Sequence, residues 1–277
     1  MDLINSELGK KSEYKDTYDS NLLFPIPRQT KRQEIGIEKE IPFNGYDIWN
    51  AYEISYLNKK GKPIIAIAKI HIPCTSKSII ESKSMKLYFN SLNNSKFNSE
   101  NELIKIIEKD FSNSTDSKVI VNLFSPNIYR SLAILQKPKG ICIDDIDVEM
   151  SQYKINHELL KLESKTNVEE TLNSHLLKSN CLITNQPDWA TITIKYKGPK
   201  ICKKSLLKYI ISFRNHNEFH EQCVERIFVD LQKNCACIEL AVYAQYTRRG
   251  GIDINPYRSN YTTDSTPLDT NSRDYRQ

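Results

Sequence analysis

A chain of 277 residues with 39% hydrophobic and 26% charged residues has the composition of a globular protein, with room for one large core or two small ones. No apolar run approaches the roughly 18 residues that a membrane-crossing helix needs. The start at Met1–Glu7 lacks a basic segment followed by an apolar one, so no secretory signal is read and a cytoplasmic setting without a membrane partner is expected. The net charge of +5, from 39 basic and 34 acidic residues, is spread along the chain. That pattern gives no nucleic-acid footprint, although a mildly positive surface suits an anionic ligand. Seven cysteines, an odd number without framework spacing, read as reduced thiols.

In chain order, Tyr52 to Leu57 and Ile64 to Ile72 read as two strands, joined by a solvated turn at Lys59-Lys60-Gly61-Lys62. Ser99 and Glu102 form a capping box ahead of a helix carrying Leu103, Ile106, Ile107 and Phe111. Lys118 to Phe124 reads as a further strand. The block closes at Lys137-Pro138-Lys139-Gly140, and a polar stretch from Asp144 to Lys165 leads into a second block. There Ala190, Ile192, Ile194 and Tyr196 alternate with polar residues as a half-buried strand. Phe219, Cys223, Ile227 and Leu231 share one helical face, and Ile238 to Tyr246 alternates as a last long strand. The tail from Arg248 to Gln277 is polar, and beyond Arg258 it is expected to be ordered only by contact with the body.

The two blocks echo each other. A shift of about 121 positions lays Lys83-Ser84 on Lys204-Ser205, Tyr88 on Tyr209, Ser91 on Ser212, Asn94 on Asn215 and Glu100 on Glu221. This pattern reads as an internal duplication. The expected fold class is α+β, with two related modules over residues 1–140 and 141–277, each an antiparallel sheet with helices on one face.

Several residues admit both a structural and a chemical reading. Cys181, after Ser179-Asn180 and before a strand, is either a small buried hydrophobe or a nucleophile that acts as its thiolate. Asp188, between Pro187 and Trp189, is a turn residue or a general acid desolvated by an aromatic wall. Glu221, beside His220 at a helix start, is a dipole partner or a carboxylate accepting two N–H groups from a guanine-like edge. His216, His220 and Cys223 lie at i, i+4 and i+7, and Cys235 and Cys237 share one strand face. Zinc ligation is one reading of these and a core face the other; no metal site is expected. With only eight glycines there is no Rossmann or P-loop signature, so phosphates would fall to side chains. Ser82-Lys83-Ser84 and Arg248-Arg249-Gly250-Gly251 are the two places offered; each also reads as a solvated loop.

Taken together, four segments resemble the NADPH-dependent 7-cyano-7-deazaguanine reductases, the nitrile reductases of queuosine biosynthesis, in their long two-module form. The segments are Glu81-Ser82-Lys83-Ser84-Met85-Lys86-Leu87-Tyr88, Cys181 through Trp189, Phe219-His220-Glu221, and Tyr246 through Gly251. The resemblance spans about residues 20 to 260. It implies two tandem tunnelling-fold modules, NADPH as cofactor, 7-cyano-7-deazaguanine as substrate and a homodimer. It also implies Cys181 as nucleophile and Asp188 as proton donor. His220 and Glu221, with Ile80, Glu81 and Ser82, would hold the deazaguanine, and Ser82, Lys83, Arg249 and Gly250 would meet NADPH. The implied chemistry is reduction of the nitrile to the aminomethyl product through a covalent thioimide. Two other readings stay open: a zinc-dependent pterin or purine hydrolase on the same fold, and a non-catalytic binder of deazaguanines or tRNA.

Overall fold

Short Pro-bounded strand β1 (Pro25–Pro27) and helix α1 (Gln29–Glu34) precede a long hairpin of β2 (Asn44–Leu57) and β3 (Pro63–Pro73). These come from a computed structural model that describes residues 14–132, 134–151, 153–262 and 268–277. In β3, Ala66, Ala68, Ile70 and Ile72 are buried while Ile65, Lys69 and His71 face outward, the period of two that a half-buried strand imposes. The turn is held by Asn58, whose side-chain oxygen accepts from the Lys60 and Lys62 amides.

The chain continues through β4 (Ser78–Ile80), α2 (Ser82–Ser91), α3 (Glu100–Thr115), β5 (Ile120–Phe124) and α4 (Pro126–Leu132). It then forms β6 (Ile141–Cys142), β7 (Leu162–Asn180), β8 (Pro187–Ile201), α5 (Lys203–Ser212), α6 (His220–Cys235), β9 (Glu239–Tyr246) and β10 (Ile252–Ser259). No helix among the described residues is long and apolar enough to cross a membrane.

The fold is α+β, and the described residues cluster into two compact units. The first holds the residues up to Glu38, Tyr46–Ile134 and Arg248–Ile254; the second holds Lys39–Gly45, Leu135–Thr247 and Asn255–Gln277. In the first unit β5, β3 and β2 lie side by side, antiparallel. In the second, β9, β8 and β7 repeat that order, and β6 adds a short parallel pairing on the β7 edge. Two strands, two helices and a third strand therefore recur in each.

The repeated residues carry repeated contacts. Ser84 Oγ accepts from the Phe24 amide and donates to the Glu81 carbonyl; Ser205 Oγ accepts from the Lys161 amide and donates to the Cys202 carbonyl. Tyr88 donates to Asp110 at 2.7 Å, and Tyr209 donates to Asp230 at 2.6 Å. Ser91 and Ser212 each donate to the carbonyl three residues back. The spacing is not constant, however. α3 begins at Glu100 and α6 at His220, 120 positions on, so one residue is lost between the helices and Glu100 aligns with His220 instead of Glu221.

Leu103, Ile107, Phe111 and Thr115 bury one face of α3, and Cys223, Ile227 and Leu231 bury the matching face of α6. Both helices end in a left-handed residue, Asp116 and Ala236. Ser99 caps α3 by accepting from the Glu102 amide, but the Glu102 carboxylate accepts from Asn98 instead of closing a box on Ser99. The C-terminal tail packs on the second unit: Leu268 and Asp274 are buried, and Gln277 bonds Gln245 and Asn255.

Candidate active site

In the second unit, β7 ends at Asn180 and β8 starts at Pro187, so Cys181 opens the six-residue link of a hairpin. The link is tied by its own backbone. Cys181 N donates to Gln186 O at 2.8 Å, and Asn185 N donates to Cys181 O at 3.1 Å, with Asn185 at a left-handed φ of 55°. Across the hairpin Asp188 faces Ser179. Directly opposed residues of a hairpin point to the same face, so Ser179 and Asp188 share one, and Cys181 lies one residue past the end of β7. Cys181 is 4% exposed and Asp188 6%.

A second segment is stitched to the same strand end. Asn180 N donates to His216 O at 2.8 Å, and Glu218 N donates to Asn180 O at 3.1 Å. Glu218 is buried and accepts from His216 Nε2 at 2.9 Å and from Arg226 Nε and Nη2 at 3.1 and 2.9 Å. Burial pushes its carboxyl up, but the hydrogen bonds from His216 and Arg226 outweigh this and hold it below the usual range. This brace fixes the loop that leads into α6, whose first turn carries His220 and Glu221.

His220 Nε2 lies 3.3 Å from Asp188 Oδ2, and its ring lies flat on Tyr246, with centroids 3.7 Å apart and 2° between the planes. The buried His220 Nδ1 has no hydrogen-bond partner among the described residues. A polar atom left this way is costly unless a ligand completes it. Glu221 is 2% exposed, in the turn where the helix dipole favours a carboxylate. The structure thus brings Cys181, Asp188, His220 and Glu221 onto elements bound to one strand end. Tyr246 belongs with them as the stacking partner of His220, although the sequence reading gave it no role; its place in the Tyr246–Gly251 segment was the available signal.

His216, His220 and Cys223 do not converge as zinc ligands. The first two are engaged by Glu218 and Asp188, and Cys223 is fully buried, its thiol pushed well above normal chiefly by burial. Burial also lifts Cys235 to about 11 and Cys237 to about 12, which leaves them protonated and unreactive at neutral pH.

The remaining site residues lie in the first unit. β1 pairs with β4, and Glu81 N donates to Phe24 O, which sets Ile80 and Glu81 at the start of α2. Ile80 is buried. Glu81 is fully buried and caps α2, accepting from the Lys83 and Ser84 amides; burial raises its carboxyl. Its oxygens are already committed to the helix, whereas Ser82 and Lys83 reach the surface in the first turn, where anions are favoured.

Arg249 and Ile252 exchange backbone hydrogen bonds across Gly250 and Gly251, which have φ of 60° and 77°. Two positive φ values in a two-residue loop are what a type I′ turn demands. At its φ of 77° any side chain on Gly251 would be strained, and a Cβ there would also have to displace the Glu53 carboxyl end, 2.4 Å away. Arg248 stacks on Tyr52 at 3.7 Å. A cleft of about 130 Å³ opens here, lined by Glu53, Lys86, Asn90, Asn93, Gly250 and Gly251. Lys86 of α2 therefore meets the glycine turn, a role for which the sequence gave no signal beyond the motif it sits in.

Comparison with known proteins adds a separate line of observation. Residues 14–123 match a family described as nitrile reductase, 7-cyano-7-deazaguanine-reductase N-term, and residues 187–265 match one described as QueF-like protein. The NADPH-dependent 7-cyano-7-deazaguanine reductase of Cupriavidus necator is 53% identical over 267 residues, covering 94% of each chain. The protein of the same name from Cupriavidus pinatubonensis is 52% identical over 281 residues, covering 99% of this chain and 98% of its own. That from Legionella pneumophila is 53% identical over 255 residues, covering 92% and 89%.

Proposed function

The chain belongs to the NADPH-dependent 7-cyano-7-deazaguanine reductase family, and from that premise we propose that it reduces the nitrile of 7-cyano-7-deazaguanine to the primary amine for queuosine biosynthesis. The observation that carries the mechanism is the buried group of Cys181, Asp188 and His220 at one end of the β7–β8 hairpin. The Cys181 thiolate attacks the nitrile carbon, forming a C–S bond, and Asp188 gives its proton to the nitrile nitrogen, yielding a thioimide. His220, 3.3 Å from Asp188, orients that carboxyl and can return a proton to it. Glu221 accepts the N–H groups of the deazaguanine edge, and the orphaned His220 Nδ1 gains a partner from the bound ligand. Low exposure of Cys181, Asp188 and Glu221 supports a dry site, which a reactive imine between the two reduction steps requires.

The first unit's residues fit a phosphate-bearing dinucleotide. Ser82 and Lys83 at the α2 start, Arg249 at the glycine turn and Lys86 in the cleft supply donors and positive charge, and Gly250 holds the turn at a φ of 60° beside Lys86. NADPH bound there supplies the hydrides for a four-electron reduction. The repeated strand–strand–helix–helix–strand order supports reading each half as a tunnelling-fold module, over residues 1–140 and 141–277; a homodimer is what the family resemblance implies. Seven free cysteines, and a mechanism that needs Cys181 reduced, favour the cytoplasm.

The test is to mix the protein with 7-cyano-7-deazaguanine without NADPH and record its intact mass. A gain equal to the whole substrate, mapped to Cys181 and discharged as the amine by NADPH, is expected. Tight binding without an adduct, or turnover that depends on zinc and not on NADPH, would overturn the mechanism.

A further inference from the structure

A thiol, a carboxylate and an imidazole meet at the β6 edge of the second unit, outside the proposed reductase machinery. One ligand atom each from Cys142, Asp144 and His175 lies within 4.8 Å of the others. The chain path brings them there. β6 runs parallel to β7 with Cys142 opposite Asn173, and Ile143 N donates to Asn173 O at 3.0 Å. Asp144 is then locked in place, accepting from Ser174 Oγ at 2.6 Å and from the His175 amide at 2.9 Å. Each carboxylate oxygen accepts one bond there and keeps a second lone pair.

The imidazole is oriented from behind. His175 Nδ1 lies 2.9 Å from Thr191 Oγ1 and 3.8 Å from Asp274 Oδ2. Asp274 is 1% exposed, and its Oδ2 has no hydrogen-bond partner among the described residues. With Nδ1 facing this hydroxyl and carboxylate, Nε2 is the nitrogen left for a ligand. A carboxylate behind a histidine, and hydrogen bonds behind a ligating carboxylate, are the outer-shell arrangement of metal sites. All three side chains are half-buried, so an ion has a path in. Five residues of β7 lie between His175 and Cys181, six steps or roughly 20 Å of extended chain.

We propose that Cys142, Asp144 and His175 bind one zinc-class divalent cation, with water completing the shell, and that the ion clips the two-residue strand β6 onto β7. The mixed sulfur, oxygen and nitrogen set suits zinc over magnesium or calcium, which take oxygen ligands. Binding converts the Cys142 thiol to a metal-bound thiolate and releases its proton to solvent.

The experiment strips the full-length protein with a chelator and titrates it with Co2+, reading the thiolate-to-cobalt charge-transfer band and the bound metal per chain. One ion per chain is expected in the wild type and in Cys181→Ala. Cys142→Ser should abolish the band, and Asp274→Asn, which keeps all three ligands, should weaken binding about 10- to 100-fold. Zinc should raise the melting temperature of the wild type but not of Cys142→Ser, while the metal-free proteins melt alike. Absence of binding, binding that survives Cys142→Ser, or binding lost in Cys181→Ala would overturn the assignment. So would an Asp274→Asn affinity equal to the wild type's.

Discussion

Replacing Cys181 with alanine should separate chemistry from folding. The substitution removes one sulfur from a side chain that is 4% exposed, and the bonds that tie its turn, Cys181 N to Gln186 O and Asn185 N to Cys181 O, are both backbone. The folding cost is therefore that of a small cavity, about 1 kcal/mol, or a melting temperature lower by about 2–4 °C. The catalytic cost is of another order. Loss of a covalent nucleophile should lower turnover on the order of 10⁴-fold or more, equivalent to about 5.5 kcal/mol of barrier. Substrate binding should persist, because Glu221 and His220 are held by α6 and the Glu218 brace, neither of which involves the thiol. The assays are NADPH oxidation for turnover, calorimetry for 7-cyano-7-deazaguanine binding and intact mass for the adduct. Reduction within about tenfold of the wild type would refute covalent catalysis. Loss of binding together with turnover would refute the division of labour between Cys181 and α6.

Other perturbations probe other parts of the site. Asp188→Asn should slow adduct formation by about 10²- to 10⁴-fold, read by the time course of the mass gain; an unchanged rate would remove Asp188 as proton donor. Arg249→Ala should raise the NADPH concentration needed for half-maximal rate while leaving adduct formation without NADPH untouched; an equal fall in both would move the cofactor elsewhere. Stability should also fall in acid through Glu218. Its folded carboxyl titrates below its unfolded value of 4.5, so its contribution is present above that pH and is lost as pH falls through the lower, folded value. Urea midpoints measured from neutral pH downward should show this loss, and Glu218→Gln should flatten it.

Periodicity made part of this protein legible. The alternation in β3, the cap of Ser99 on α3 and the apolar stripe of α6 follow from local rules, because each buries one face against whatever lies beneath it; β9 alternates in sequence but is buried on both faces from Leu240 to Tyr246. The duplication was visible in Ser84, Tyr88 and Ser91 and their counterparts, since those side chains bond within their own module. The segment from Cys181 to Trp189 stood out as well. β7 and β10 did not. β7 shows mostly polar residues over its first half and carries register shifts that break its period. β10 buries Asp253, Asn255 and Arg258, residues that read as a polar tail.

Local sequence determined which segments become helix or strand wherever an apolar face had only to be covered, and it placed Cys181 beside a turn. Tertiary structure alone decided which polar groups are paid for: Asp253 by Asn50 and Tyr52 some 200 positions away, Arg258 by Glu225, His175 by Thr191. It also put Tyr246 under His220 and committed Glu81 to a helix cap. Hydrophobic burial is non-directional and can be read from a pattern, whereas a buried hydrogen bond needs one specific partner at about 3 Å, and only the folded chain supplies it.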